Sequence, residues 1–148
     1  MTLHVVLYQP EIPQNTGNIA RTCAATGASL HLIEPLGFSI ENRYLKRAGL
    51  DYWRMVDVET YPNLDTYLST TSRFQRVFAT KKIGPPYSAV TYEDPCSLIF
   101  GKETSGLPEE LLGENESHCV RIPMRLDSRS LNLSNAAAII VYEALRQN

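Results

Sequence analysis

Residues 3–35 read LHVVLYQPEIPQNTGNIARTCAATGASLHLIEP, and the change of hydrophobic period inside this stretch sets the fold class. LHVVLYQP is a short run of apolar and β-branched residues stopped by Pro10, and SLHLIEP repeats the pattern before Pro35, so each reads as a strand. NTGNIARTCAATG lies between them and reads as a helix. Thr16 is its expected N-cap, Ile19 and Cys23 fall four apart on one face, and Gly27 supplies its stop. Strand, helix, strand is the unit from which parallel sheets are built.

The rest of the chain continues the alternation. NRYLKRAG reads as a short basic helix and NLDTYLSTT as another, then RVFAT and SLIF read as strands. PEELL opens a helix with Pro at or near its first position and acids in its first turn, where the helix dipole favours them. A brief HCVRIP strand precedes a closing helix whose Leu133, Ala137, Ile140, Val141 and Ala144 share one broad face, with Ser134 as its expected cap. The expectation is a single α/β domain over residues 1–148, with a mostly parallel sheet, flanking helices and chemistry on loops at strand ends.

Composition narrows the classes. No apolar run approaches the roughly 18 residues of a membrane span, and MTLHVVLYQP has neither the basic start nor the cleavage site of a secretory signal, so a cytoplasmic protein is expected. Cys23, Cys96 and Cys119 are odd in number and far apart, which favours buried free thiols over bridges. A net charge of -2 argues against indiscriminate nucleic-acid binding. It does not exclude RNA, because the positives cluster locally: Arg43, Lys46 and Arg47; Lys81 and Lys82; Arg121, Arg125 and Arg129.

Common site patterns are absent from the sequence. GKETSGLP lacks the Lys-Ser/Thr pair of a triphosphate loop, and no G-x-G-x-x-G follows the first strand. His4, His31 and His118 have no metal-ligand spacing, and ordinary structural or surface roles are expected for them. Ser130 has no G-x-S-x-G elbow around it and is not read as a hydrolase nucleophile.

Three polar, glycine-bearing segments remain at predicted strand ends: NTGNIAR, FGKETSGLP and IPMRLDSRSLNLSNAAA. Asn15, Asn18 and Arg21 recur every third residue, a spacing that points side chains together; capping, hydration and an ion pair would explain them equally well. Gly101 permits close approach of a ligand and Gly106 a turn, although turn geometry alone accounts for both. Glu103 is either a site acid or a solvated one. Ser130 and Asn132 precede the helix and are read as free for other bonds.

Taken in order, VVLYQPEIPQNTGNIARTCAATG, HLIEPLGF, RAGLDY, FGKETSGLP, IPMRLDSRSLNLSNAAA and VYEALRQ closely resemble the SPOUT superfamily of RNA methyltransferases, over nearly the whole chain. The resemblance implies a C-terminal deep trefoil knot, an exception to the rule of unthreaded connections. It implies S-adenosylmethionine bound at the knotted loops, no metal, a homodimer, and methylation of a ribose 2'-OH. Within the superfamily the sequence is most like members acting on the wobble nucleotide (C34 or modified U34) of leucine tRNAs. Carried over residue by residue, it places Thr80, Gly101, Ile122 and Ser130 at the cofactor, with Glu103, Gly106, Met124, Leu131 and Ser134 completing the pocket. Arg21, Ser130 and Asn132 become the catalytic set; Asn15, Asn18, Arg21 and Tyr142 become substrate contacts, Tyr142 reading equally as a packing residue. The chain departs from the usual middle motif at Lys102 and Ser105, which leaves the reaction class better supported than the identity of the RNA.

The chemistry that follows is one of positioning. A guanidinium ordinarily stays protonated, so Arg21 is expected to hold a phosphate or the developing negative charge on the 2'-oxygen, not to remove its proton. Tyr44, Tyr52 and Trp53 offer stacking surfaces for splayed bases, or simply core. Three other readings stay open: a 2'-O-methyltransferase for another tRNA or rRNA position, a noncatalytic RNA-binding dimer, and a plain α/β domain whose glycines and asparagines serve only turns and caps.

Overall fold

The computed structural model describes residues 1–41, 43, 47, 53–128 and 130–148. The basic helix expected over 42–49 lies mostly outside them, as do Tyr44, Lys46, Tyr52 and Arg129. Among the described residues one sheet holds β1 (Leu3–Tyr8), β2 (Ser29–Ile33), β3 (Val58–Tyr61), β4 (Gln75–Thr80), β5 (Cys96–Phe100) and β6 (Cys119–Arg121), in the order β3-β2-β1-β5-β4-β6. Every pairing is parallel. Among the described residues the bounded α-helices are α1 (Pro13–Thr26), α2 (Leu64–Thr70), α3 (Glu109–Glu114) and α4 (Leu133–Gln147).

Strands buried on both faces explain the continuous apolar runs. One side chain set of β1, with Val5 and Leu7, packs under Ile19, Ala20 and Cys23 of α1 and Ala137, Ile140, Val141 and Ala144 of α4. The other set, with Val6, packs with Ile33, Phe78 and Ile99 under Leu64 and Tyr67 of α2 and Leu112 of α3. Each fully buried aliphatic side chain contributes about 2 kcal/mol. Cys23, Cys96 and Cys119 are buried free thiols, and Trp53 packs against the core.

Two expected caps are corrected. Thr16 does not begin α1. Pro13 stands in its first turn, Ile12 is its N-cap, and Thr16 sits inside the helix, fully buried, its hydroxyl without a hydrogen-bond partner among the described residues. Ser134 does not cap α4; Asn132 does, its Oδ1 accepting from the amides of Ser134 and Asn135 at 2.9 and 3.4 Å. The strand Val58–Tyr61 has no counterpart in the sequence reading. It is an edge strand with no residue fully buried, so it carries no apolar run to announce it.

Near the sheet's other edge the chain wraps on itself. After β4 it turns, through Gly84 at φ 89 degrees, to run beside β6: Pro86 pairs parallel with Arg121, and the Arg121 amide donates to the Pro85 carbonyl at 3.0 Å. A Cβ on Gly84 would stand 2.1 Å from the Cys119 carbonyl oxygen, so glycine is what lets the two backbones approach. β6 is therefore bracketed by β4 and by the connection that leaves β4. The chain then returns as α4, whose end is tied to that connection: Gln147 Nε2 donates to the Val90 carbonyl at 3.0 Å and Asn148 Nδ2 to the Tyr92 carbonyl at 2.9 Å.

His4 and His31 stack with ring centroids 4.0 Å apart. His4 Nδ1 meets the Tyr67 hydroxyl at 2.9 Å, and His31 bridges Ser29 and Tyr61. Both have structural roles, as expected. Burial, reinforced by its stacked neighbour, pulls the His31 pKa down to about 4. The unfolded imidazole titrates near 6.5, so the folded state binds fewer protons between those values, and stability present above pH 6.5 is lost as pH falls toward 4. We expect His31 to account for about 3 kcal/mol of that loss. Denaturant midpoints across this range check it: His31→Gln should flatten the slope, and an equally steep slope would refute the assignment.

Candidate active site

The registers of the central strands place the loops of the site. β1 and β5 are neighbours with Leu7 opposite Phe100, so the loops after them leave the sheet side by side. β1 leads outward to β2 and β3 on one side, and β5, β4 and β6 lie on the other. Such a reversal of strand order opens a crevice at the carboxyl ends of the strands, where ligands bind in open α/β sheets.

A cavity of about 580 Å³ occupies that end, a volume typical of small-molecule sites. Its walls come from all three polar segments: Ile12 and Asn15; Gly101 to Leu107; and Ile122, Met124, and Ser130 to Leu133. Thr80, Lys81 and Lys82 at the end of β4 complete it. Thr80 shapes the loop, since its hydroxyl donates to the Ile83 carbonyl at 2.7 Å and accepts from the Ile83 amide at 2.9 Å.

The Gly101 loop is built by close approach. A Cβ on Gly101 would lie 2.2 Å from the Gly106 carbonyl carbon and 2.3 Å from the Leu107 nitrogen. Gly106 has φ +68 and donates its amide to the Lys102 carbonyl at 2.9 Å, closing residues 102–106 into a compact turn. Glu103 is half-buried and its carboxylate has defined partners. It accepts from the Glu11 amide at 3.1 Å and the Ile12 amide at 2.5 Å, at the start of a helix whose own N-cap, Ile12, has no side-chain acceptor.

The final segment is tied to α1 by one side chain. Asn132 accepts from the first turn of α4 through Oδ1 and donates through Nδ2 to Asn15 Oδ1 at 3.0 Å. Ser134 lies off the cavity wall and bonds to Asn132, its hydroxyl 2.5 Å from Oδ1. Ser130 is exposed at the wall, and Leu131 is exposed at the rim.

Not every expected site residue reaches the cavity. Asn15 is buried beside it, whereas Asn18 and Arg21 are exposed farther along α1 and do not line it. Steps of three residues drift by about 60 degrees each, so Arg21 stands roughly 120 degrees around the helix from Asn15 and about 9 Å along it. Tyr142, 55% exposed, lies outside the cavity on α4. Glu11 and Thr104 were missed by the sequence reading and join two walls of the site, Thr104 donating from its amide at 3.0 Å and its hydroxyl at 2.7 Å to Glu11 Oε1. Lys81, Lys82 and Lys102 put three positive charges on the cavity wall. Among the described residues no cluster of His, Cys, Asp or Glu could hold a metal ion, and no helix is long and apolar enough to cross a membrane.

Residues 2–142 match the model of the SpoU rRNA methylase family. The chain is 50% identical to the tRNA (cytidine(34)-2'-O)-methyltransferase of Escherichia coli, across 98% of this chain and 93% of that protein. A solved structure concerned with 2-OH methylation of C/U34 on tRNA superimposes with a TM-score of 0.93, at 44% identity, covering 99% of this chain and 95% of that one. The SpoU methyltransferase AviRb from Streptomyces viridochromogenes, solved in complex with AdoMet, superimposes with a TM-score of 0.89 at 25% identity, covering 99% of this chain and 57% of that one. With the three motifs gathered around one cavity and the family model spanning nearly the whole chain, this protein belongs to the SpoU rRNA methylase family of SPOUT RNA methyltransferases.

Proposed function

We propose that this protein is a cytoplasmic, homodimeric S-adenosylmethionine-dependent methyltransferase that modifies the ribose 2'-OH of the wobble nucleotide, C34 or modified U34, in leucine tRNAs. The observation that carries the proposal is the cavity: three separate segments of the sequence converge on it, and two of its walls are hydrogen-bonded to the helix that bears Arg21. The names of the full-length relatives support the wobble position. The bracketing of β6 by the connection that leaves β4 supports a trefoil knot.

The residues present fit S-adenosylmethionine. Leu107, Ile122, Leu131 and Ile140 offer apolar surface for an adenine, and the tight 102–106 turn and Ser130 offer backbone and hydroxyl hydrogen-bonding groups. When bound, the cofactor supplies an electrophilic methyl group, so the remaining task is to align an oxygen with it. Asn132 fixes the last loop against Asn15, and Ser130 is placed to orient cofactor or ribose. Arg21, Asn18 and Tyr142 lie on exposed helix surface, where RNA or a second subunit reaches them. Arg21 holds a phosphate or the developing negative charge on the 2'-oxygen, and a phosphate or water accepts the proton. Lys81 and Lys82 supply phosphate contacts beside the cavity.

The test is to incubate the protein with methyl-labelled cofactor and unmodified leucine tRNAs and to map the label. Incorporation at the wobble ribose is expected, abolished when its 2'-OH is replaced by hydrogen and weakened by rising salt. Label at another tRNA or rRNA position would overturn the substrate assignment. RNA binding without transfer would replace the enzyme reading with that of a noncatalytic RNA-binding dimer.

A further inference from the structure

We propose that Glu11 is a positioning residue, which together with Glu103 closes a reciprocal clamp that registers α1 against the Gly101 loop. The geometry is an exchange of carboxylates between two adjacent loops. Glu103 accepts from the amides of Glu11 and Ile12, and Glu11 returns the arrangement by accepting from the amide and hydroxyl of Thr104. Each glutamate is the immediate chain neighbour of a residue whose amide the other holds. Neither loop can shift without breaking bonds on both sides.

The position of the clamp makes it more than a loop staple. Ile12, Glu103 and Thr104 line the cavity, so the clamp is part of its wall. It also holds the start of α1, and Asn132 holds Asn15 one turn later. The helix is thus pinned at its beginning to both loops of the cavity, while Arg21 lies farther along it and outside the cavity. A tilt of α1 at its pinned end displaces Arg21 more than Asn15, because displacement grows with distance along a rigid helix. Glu11 therefore acts through α1, without itself touching reacting atoms. Thr104's bonds and the nearby Lys102 hold its carboxyl below the usual range, which keeps it ionised as an acceptor.

This inference rests on the proposed function in taking Arg21 and the cavity to belong to one reaction. Its test has two independent readouts. In cofactor-free protein, Glu11→Ala should speed hydrogen exchange not only at the Thr104 amide, which loses its acceptor, but also at the amides of residues 11 and 12, by about tenfold, with core strand amides unchanged. In methyl-transfer assays the same variant should lower kcat about tenfold at saturating cofactor and RNA, a larger change than in the KM for either. Glu11→Gln keeps an oxygen acceptor and should restore both readouts. Thr104→Ala, which removes only the hydroxyl, should give a smaller change in the same amides and serves if Glu11→Ala does not fold. Amides 11 and 12 protected as in wild type, or an unchanged kcat, or a Glu11→Gln as impaired as Glu11→Ala, would each overturn the clamp. Wild-type protein that transfers no methyl group would overturn the proposed function instead, and the exchange rates would still decide whether the loops are coupled.

Discussion

Arg21→Ala is expected to lower methyl transfer at least about a hundredfold, equivalent to roughly 2.7 kcal/mol of transition-state stabilisation, while leaving fold and cofactor affinity intact. The separation follows from placement. Arg21 is exposed on α1 and does not line the cavity, so its truncation removes no part of the proposed cofactor wall. It removes the fork of donors proposed to hold a phosphate or the charge developing on the 2'-oxygen. Arg21→Lys keeps the charge but loses the fork, and should recover only part of the rate. Single-turnover methyl transfer, with calorimetry for S-adenosylmethionine and a thermal melt on the same samples, separates these effects. A folded Arg21→Ala protein with wild-type turnover would remove Arg21 from the mechanism.

The opening strand-helix-strand unit was legible because the hydrophobic period changes sharply at Pro10 and Gly27, and the observed strands end at Tyr8 and Ile33. The helix starts were less so. Thr16 has the chemistry of a cap, yet Pro13 already marks the first turn of α1, four residues before the start that a Thr16 cap implies, and Thr16 is buried inside the helix. At α4 the asparagine before the helix outcompeted the serine within it, because only a residue outside the first turn can turn its oxygen back to the free amides. The Asn15, Asn18 and Arg21 spacing suggested a common face, but helical drift separates the first from the last. Glu103 and Glu11 lie far apart in the chain, and their exchange depends on the register that sets Leu7 beside Phe100. No local pattern encodes such a register. The fold class came from periodicity, whereas the three loops were joined into one site only through the resemblance of their motifs to a known superfamily.

Gly101→Ala is expected to weaken S-adenosylmethionine binding about a hundredfold, and the reason is backbone geometry alone. The added methyl would stand 2.2 to 2.5 Å from three backbone atoms of Gly106 and Leu107, none of which can rotate away as a side-chain tip would. Relief requires moving the 102–106 turn, which the Lys102 to Gly106 pairing keeps together as one body. That body supplies much of the cavity wall and, through Glu103, holds the start of α1. Displacement therefore reaches the proposed cofactor site and the helix that bears Arg21 together, so kcat should fall along with affinity. Overpacking should cost about 1–3 kcal/mol of stability. Gly113→Ala is the control: it lies in α3, a Cβ there would meet nothing within 4 Å, and helix propensity favours alanine. That variant should bind cofactor like wild type and melt at the same or a slightly higher temperature. If Gly101→Ala bound S-adenosylmethionine as tightly as Gly113→Ala, the turn would not be a cofactor wall, and the assignment of the cavity would fail with it.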